Sequence, residues 1–248
     1  MTHGKTIQIN NTQLYYEEYG EGKPLLLLHG FGGSSQNWAP FIDDLQKEYR
    51  LIVVDLRGHG HSTNPYKHFT HHQAAKDVIL LLEKLEIKHC SAMGISSGGM
   101  TLLHIATINP KLIDAMVLIS ATTHFPDQAR AIMRRVSYDT MPPQVKQMYQ
   151  ECATRGEEQI RELISQFNAF SENYDDMNFK SEDLSVITAK TLVIHGDRDQ
   201  FFPIEIPVNI YQSIPNSALW IIPEGSHVPI DDPKVPFTET ALRFLNQS

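Results

Sequence analysis

One serine in this chain sits where a hydroxyl could be made to attack. Ser96 lies in Gly94-Ile95-Ser96-Ser97-Gly98-Gly99, after a short apolar stretch from His89 to Met93 and before a helical pattern from Met100 to Asn109. G-x-S-x-G between a strand and a helix holds the serine in a sharp turn, and its hydroxyl then projects clear of the sheet. Glycines on either side fit, because strand and helix pass too closely there for a Cβ. A serine hydroxyl is a poor nucleophile at neutral pH; it needs a base, and the base needs an orienting acid. The chain has 12 histidines, but only His227 lies beyond residue 195. It sits in Pro223-Glu224-Gly225-Ser226-His227-Val228-Pro229, directly after the last strand-like run, and open α/β sheets keep their chemistry at strand C-terminal ends. The acid is expected in the loop after the preceding strand, Gly196-Asp197-Arg198-Asp199-Gln200-Phe201-Phe202-Pro203. Asp197 comes straight off that strand, where a carboxylate caps the turn, whereas Asp199 stands farther out and can reach an imidazole. Asp199 is therefore preferred, with Asp197 second and Asp127 a distant third. Ser97 and His195 are weaker rivals as nucleophile and base.

The elements that must position these groups alternate. Thr6–Asn10 and Gln13–Tyr19 read as an antiparallel hairpin turning at Asn10-Asn11. Pro24–His29, Arg50–Asp55, Ile113–Ser120 and Thr191–His195 are apolar without alternation, the mark of strands buried on both faces. With His89–Met93 and Ala218–Ile222 they make about eight strands. Helical patterns follow most of them: Trp38–Lys47, His71–Leu85, Met100–Asn109, Pro203–Ile214 and Pro233–Leu245. The expected fold is α/β, a mostly parallel central sheet with helices on both faces. Residues 122–183 break the rhythm. They hold no strand-like run but several helical ones, with Pro126 at a first helical position and Pro142-Pro143 as an interruption. The expected organisation is a core of residues 1–121 and 184–248 with a helical cap inserted between them. Phe125, Met133, Met148 and Phe167 read as internal packing of that insertion more readily than as pocket lining, and Asp183 as a solvated return to the sheet.

The bulk properties exclude several classes. The 248 residues are 41% hydrophobic and carry a formal charge of −8 without a basic block, which disfavours nucleic acid. The longest aliphatic run, Leu25–Leu28, is far short of a membrane span, and Met1-Thr2-His3-Gly4-Lys5 lacks a signal peptide's apolar segment. Cys90 and Cys152, in no metal or C-x-x-C spacing, read as reduced thiols in a cytoplasmic protein. Gly30-Phe31-Gly32-Gly33-Ser34-Ser35, with Asp55 ending the next strand, imitates a dinucleotide fingerprint, but Ser35 stands where the third glycine belongs. No cofactor is expected. His59 and His61 read as turn residues, His68, His71 and His72 as the crowded start of a helix, and Asp55 and Arg57 as structural; no metal is expected.

Taken in order, the motifs resemble those of the α/β-hydrolase superfamily. His29-Gly30-Phe31-Gly32-Gly33 is similar to its oxyanion loop, and Asp55-Leu56-Arg57-Gly58-His59-Gly60-His61-Ser62 to its D-x-R-G-x-G-x-S turn. Gly196-Asp197-x-Asp199-x-x-x-Pro203 and Gly225-x-His227 are similar to its acid and histidine loops, and the chain order Ser96, Asp199, His227 is the family's own. The layout resembles the small capped branch of esterases, enol-lactonases, cofactor-free haloperoxidases and carbon–carbon bond hydrolases. The resemblance implies acyl transfer on a small or medium carboxylic ester or lactone, with the backbone N–H groups of Phe31 and Ser97 meeting the oxyanion. Candidate substrate-binding residues are Phe31, Trp38, Phe125, Phe201 and Val228, although Trp38 reads more readily as packing of the first helix than as pocket lining. A serine at the elbow disfavours dehalogenase and epoxide hydrolase chemistry, in which an aspartate stands there. The competing readings are a small-ligand receptor with slow turnover, a carbon–carbon bond hydrolase or peptidase on the same triad, cofactor-free haloperoxidase-like activity, and a lyase or cofactor-free oxygen chemistry. Oligomeric state is left open.

Overall fold

The computed structural model describes residues 4–247; Met1-Thr2-His3, read above for targeting character, lie outside the described residues. Eight strands form one sheet: β1 (Gly4–Ile9), β2 (Thr12–Tyr19), β3 (Lys23–Leu28), β4 (Tyr49–Asp55), β5 (Cys90–Ile95), β6 (Ile113–Ile119), β7 (Lys190–Gly196) and β8 (Ser217–Ile222). Their spatial order is β1-β2-β4-β3-β5-β6-β7-β8. The first two strands are antiparallel additions at one edge, with β2 antiparallel to β4, and every later pairing is parallel. The hairpin turns on Asn10, whose φ of 50° a short polar side chain tolerates. The chain runs from β3 outward to β4 and then back across β3 to β5. This reversal opens a crevice at the C-terminal ends of β3 and β5, where such sheets bind ligands.

The apolar runs are explained by two covered faces. Leu26, Leu28, Ile52 and Val54 join one cluster with Val78 and Leu82 of α2 (His71–Lys84) and Leu102 and Leu103 of α3 (Ser97–Ile108). Leu25, Leu27, Leu51 and Val53 point the other way, toward Trp38, Leu45 of α1 (Ala39–Leu45) and Phe237 and Leu245 of α9 (Phe237–Leu245). Alternate residues of one strand thus feed opposite cores, so a polar side chain buried on these strands has to find a bonded partner inside, as Asp55 and His195 do. Between β6 and β7 the chain forms α4 (Asp127–Met133), α5 (Pro143–Cys152), α6 (Glu157–Ala169) and α7 (Ser181–Leu184), and after β7 it forms α8 (Glu205–Ser213). The Pro142-Pro143 pair starts α5 instead of ending a helix: Pro143 takes a first helical position, where its missing N–H is no loss. Tyr138, Tyr149, Ile160, Leu163 and Ile164 give the inserted helices a small core of their own. Asp183 does more than meet solvent, since its carboxylate accepts the Lys180 N–H at 2.8 Å and caps α7. The terminal helix begins at Phe237, later than its pattern suggests, after a 3-10 turn at Pro229–Asp231.

Candidate active site

Ser96 links β5 to α3 with φ 49° and ψ −112°, a left-handed backbone that a non-glycine residue adopts only under constraint. The constraint is close packing. A Cβ at Gly94 would strike the backbone of Gly98 and Gly99, and one at Gly98 would strike the backbone of Leu28. Strand and helix are therefore pressed together, and the turn between them turns the Ser96 side chain outward.

Two loops from later strands reach it. His227, after β8, sets Nε2 2.9 Å from Ser96 Oγ, and its Nδ1 lies 2.7 Å from Asp199 Oδ2 in the loop after β7. The other Asp199 oxygen accepts the Phe201 N–H at 2.7 Å and the Phe202 N–H at 3.2 Å, so the carboxylate is fixed on both sides. Burial alone would raise its pKa, but the His227 bond, the His227 charge and the backbone donor outweigh it and hold the pKa below the usual carboxylate value. An ionised Asp199 accepts, so Nδ1 of His227 donates and Nε2 is left to accept the Ser96 hydroxyl proton. That chain of bonds is competent to activate the hydroxyl. Asp197 is partly exposed and lies 3.8 Å from Arg198 Nε. Asp127 is the first residue of α4. His195 stands behind Asp199, 3.5 Å from its Oδ2, and its Nε2 donates to the Phe202 carbonyl at 2.9 Å; burial lowers its pKa, so it stays neutral.

The loop after β3 closes the crevice from the other side. His29 is buried between two backbone groups: Nδ1 donates to the Gly30 carbonyl at 2.7 Å, and Nε2 accepts the Leu56 N–H at 2.9 Å. Asp55 accepts the Ser35 N–H at 2.6 Å and the His61 N–H at 2.9 Å, which knits the loop after β4 beneath it. Gly30 packs against Ser96, and the Gly33 N–H bonds back to the Gly30 carbonyl at 3.1 Å, leaving Phe31 at the bend. On the far side, the first turn of α3 leaves the Ser97 N–H without an intrahelical acceptor.

Above Ser96 is a cavity of about 1120 Å³. Its lining includes Phe31, Phe125, Phe201 and Val228, so four of the five candidate substrate-binding residues border it. Trp38 does not. It is fully buried in the cluster on the α1 and α9 face, with its ring 6.0 Å from Phe41, because the residue before it, Asn37, turns toward the cavity instead. Met133, Met148 and Phe167 border the cavity as Phe125 does, so the less favoured of their two readings, pocket lining, applies to them. Helical spacing marks a buried face but cannot say whether a wall or a void lies opposite. Phe31, Phe125, Phe167, Phe170 and Phe201 form a connected set of rings with centroids 5.1–6.4 Å apart, and the Phe201 ring ends 4.8 Å from the His227 ring. The inner wall is thus aromatic and closed, while Val145 and Met148 stand exposed at the mouth.

The same layout recurs among known proteins. The family model of the alpha/beta hydrolase fold matches residues 23–145. The mouse serine hydrolase BPHL is 30% identical over 89% of this chain and 79% of its own length. This chain is an α/β hydrolase. Among solved structures, this α/β hydrolase is similar to CumD, the meta-cleavage product hydrolase of Pseudomonas fluorescens IP01, with a TM-score of 0.84, 22% identity and cover of 99% and 98% of the two chains. It is also similar to the enol-lactonase of Burkholderia xenovorans LB400, with a TM-score of 0.80, 24% identity and cover of 98% and 100%. Among the described residues of this α/β hydrolase, no helix is long and apolar enough to cross a membrane, and no three His, Cys, Asp or Glu side chains are grouped to hold a metal ion. Sequence reasoning missed Asp176, which binds the buried His71 at 2.7 Å, and Phe170, which sits at the centre of the ring set. Neither carries a local signal: Asp176 lies in a polar run and its partner is 105 residues away.

Proposed function

We propose that the chain is a serine hydrolase that cleaves carboxylic esters or lactones through an acyl-enzyme. The observation that carries this is the bond chain from Ser96 Oγ through His227 to Asp199, at 2.9 and 2.7 Å, opening on a largely apolar cavity. His227 takes the Ser96 proton as Oγ attacks the carbonyl carbon, and Asp199 steadies the imidazolium that forms. The oxyanion meets the backbone N–H groups of Phe31 and Ser97, each worth about 3–4 kcal/mol in the transition state. The intermediate collapses, His227 protonates the departing alkoxide, and water then takes the same path to release the acid.

The aromatic wall favours an acyl or alcohol part that is itself apolar, bound by Phe31, Phe125, Phe201 and Val228. Residues 122–183 act as the cap that encloses it. A relative named as a pimeloyl-[acyl-carrier protein] methyl ester esterase, from Vibrio vulnificus, supports ester chemistry. The buried, unpaired thiols of Cys90 and Cys152 suit a reducing compartment such as the cytoplasm.

The test is hydrolysis of p-nitrophenyl esters from acetate to decanoate and of simple lactones, with a fluorophosphonate label mapped by peptide sequencing. Multiple turnover and a label on Ser96 are expected. A label elsewhere, or hydrolysis that survives Ser96→Ala, would remove the assignment. A single slow turnover with a ligand-dependent partner would favour the receptor reading instead.

A further inference from the structure

Directly behind the elbow lies a second bond chain. Ser97 Oγ is 3.0 Å from His71 Nε2, and His71 Nδ1 is 2.7 Å from Asp176 Oδ2. Asp176 also accepts the backbone N–H groups of His71 at 2.8 Å and His72 at 3.0 Å, so it fills the open donors at the start of α2. Its own backbone is held by Asn173, whose Oδ1 accepts the N–H groups of Asp175 and Asp176 at 3.0 Å each. Burial would raise the Asp176 pKa, but the His71 bonds and the backbone donors outweigh it and bring it to about 2. The carboxylate is therefore ionised, His71 Nδ1 donates to it, and Nε2 accepts from the Ser97 hydroxyl. Phe69, Phe125 and Phe170 surround the His71 ring with centroids 5.2–6.0 Å away. His104 stands on the far side of Asp176, its Nε2 3.7 Å from Oδ1, and is held neutral by burial with a pKa of about 4.

Ser97 is thereby held at two points. Its side chain is tied to His71, and its carbonyl accepts the Thr101 hydroxyl at 2.8 Å. Its N–H is the group left free to face the cavity crevice beside Ser96. A neighbour in a left-handed backbone gives that peptide a reason to move, and catalytic donors lose much of their effect when displaced by a fraction of an ångström. We infer that Asp176 and His71 are positioning residues that fix the Ser97 oxyanion donor through the Ser97 hydroxyl. The inference rests on the acyl-transfer reading above. Asp176 belongs to the stretch that leads from the inserted helices back to the sheet, so the seating of that insertion and the aim of the donor share one chain of hydrogen bonds.

The test is a double-mutant cycle with Ser97→Ala and His71→Asn, read as kcat and KM on p-nitrophenyl butyrate. Asn reaches only as far as Nδ1, so it keeps the Asp176 contact and releases Ser97. Each single change is expected to lower kcat about tenfold with KM within about twofold, and the double variant to fall no further than the worse single. His71→Gln, whose amide reaches the Nε2 position, is expected to restore kcat to within about threefold of the parent. Additive losses in the cycle, or unchanged kcat in Ser97→Ala, would overturn the inference while Ser96→Ala stays inactive. Turnover by Ser96→Ala would overturn the acyl-transfer reading, and this inference with it. Should His71→Asn fail to fold, Ser97→Ala decides alone, since it removes one buried hydroxyl: a fall in kcat at constant KM supports the inference, and an unchanged kcat ends it.

Discussion

Two Ser–His–Asp chains lie on either side of one elbow, and their bond lengths are nearly the same: 2.9 and 2.7 Å through His227, 3.0 and 2.7 Å through His71. Their surroundings differ in every respect that matters for attack. Ser96 has a left-handed backbone that aims its hydroxyl at the cavity, while Ser97 is an ordinary first helical residue. The His227 side chain is 16% exposed and borders the cavity, whereas His71 is fully buried and does not border it. An imidazolium at His227 would form beside an open crevice; one at His71 would be sealed among Phe69, Phe125 and Phe170. On the proposed function, the same three groups at the same spacing serve in one place as a reactive relay and in the other as a fastener. Access, backbone strain and nearby N–H donors make the difference.

The sharpest break in this comparison is at the serines. Ser96→Ala is expected to lower kcat by about 10⁵–10⁶, as when a triad nucleophile is removed, and to abolish fluorophosphonate labelling, whereas Ser97→Ala keeps the label on Ser96. A label on Ser97 in the parent protein would reverse the roles of the two chains. One step smaller, Asp199→Asn is expected to lower kcat about 10⁴-fold by unsettling the His227 tautomer. Asp197→Asn, at a side chain that faces Arg198, changes kcat by less than about threefold. Equal losses in the two variants would mean that the acid of the front relay is misassigned.

Much of the front relay was legible because each of its groups follows a strand. Ser96, Asp199 and His227 sit in loops just past β5, β7 and β8, and the apolar runs that mark those strands are unmistakable when both faces are buried. The sheet itself could be counted in the same way. The back relay was not legible. His71 looks like one of three crowded histidines, and Asp176 like part of a solvated run, until α2 and the returning chain meet in space. The insertion was half legible: helical runs were expected there and α6 is one of them, yet nothing in its spacing tells that Phe167 ends beside Phe31 and Phe201. Trp38 packs in the core as its place beside the first helix suggests, and only the candidacy for pocket lining falls away; Asn37, the residue before it, reaches the cavity instead.

The back relay should announce itself in acid. The Asp176 pKa is held to about 2, against about 3.9 in an unfolded chain. A depressed carboxylate stabilises the fold above the unfolded pKa and loses that contribution as the pH falls through the folded one, here from about pH 4 to pH 2. The amount is on the order of 2 kcal/mol. Asp176→Asn is expected to lower Tm by several degrees at neutral pH, and the gap to the parent should narrow below about pH 4. His104 adds a separate slope with the same sign. Its neutral form is favoured in the fold by burial, so stability falls as the pH drops from about 6.5 to about 4, and His104→Phe should flatten that part of the curve. A gap between parent and Asp176→Asn that stays constant down to pH 2 would mean that the carboxylate is not ionised by its partners.

The smallest expected effects separate the rings of the two regions. Phe201 borders the cavity with its centroid 4.8 Å from that of His227, while Phe69 lies behind the elbow with its centroid 5.2 Å from that of His71 and does not line the cavity. Phe201→Leu is expected to lower kcat/KM for decanoate or phenylacetate esters by roughly threefold to tenfold, the worth of a small apolar contact, and to spare acetate esters. Phe69→Leu should instead cost about 1–2 kcal/mol of stability through the small void it leaves, with chain-length preference unchanged. The pair is measured as a ratio of kcat/KM for long over short esters, set beside Tm for each variant. If Phe69→Leu moves that ratio as far as Phe201→Leu does, the wall behind the elbow yields to the substrate, and the separation between a reactive front and a fixed back fails at its packing, even where the hydrogen bonds hold.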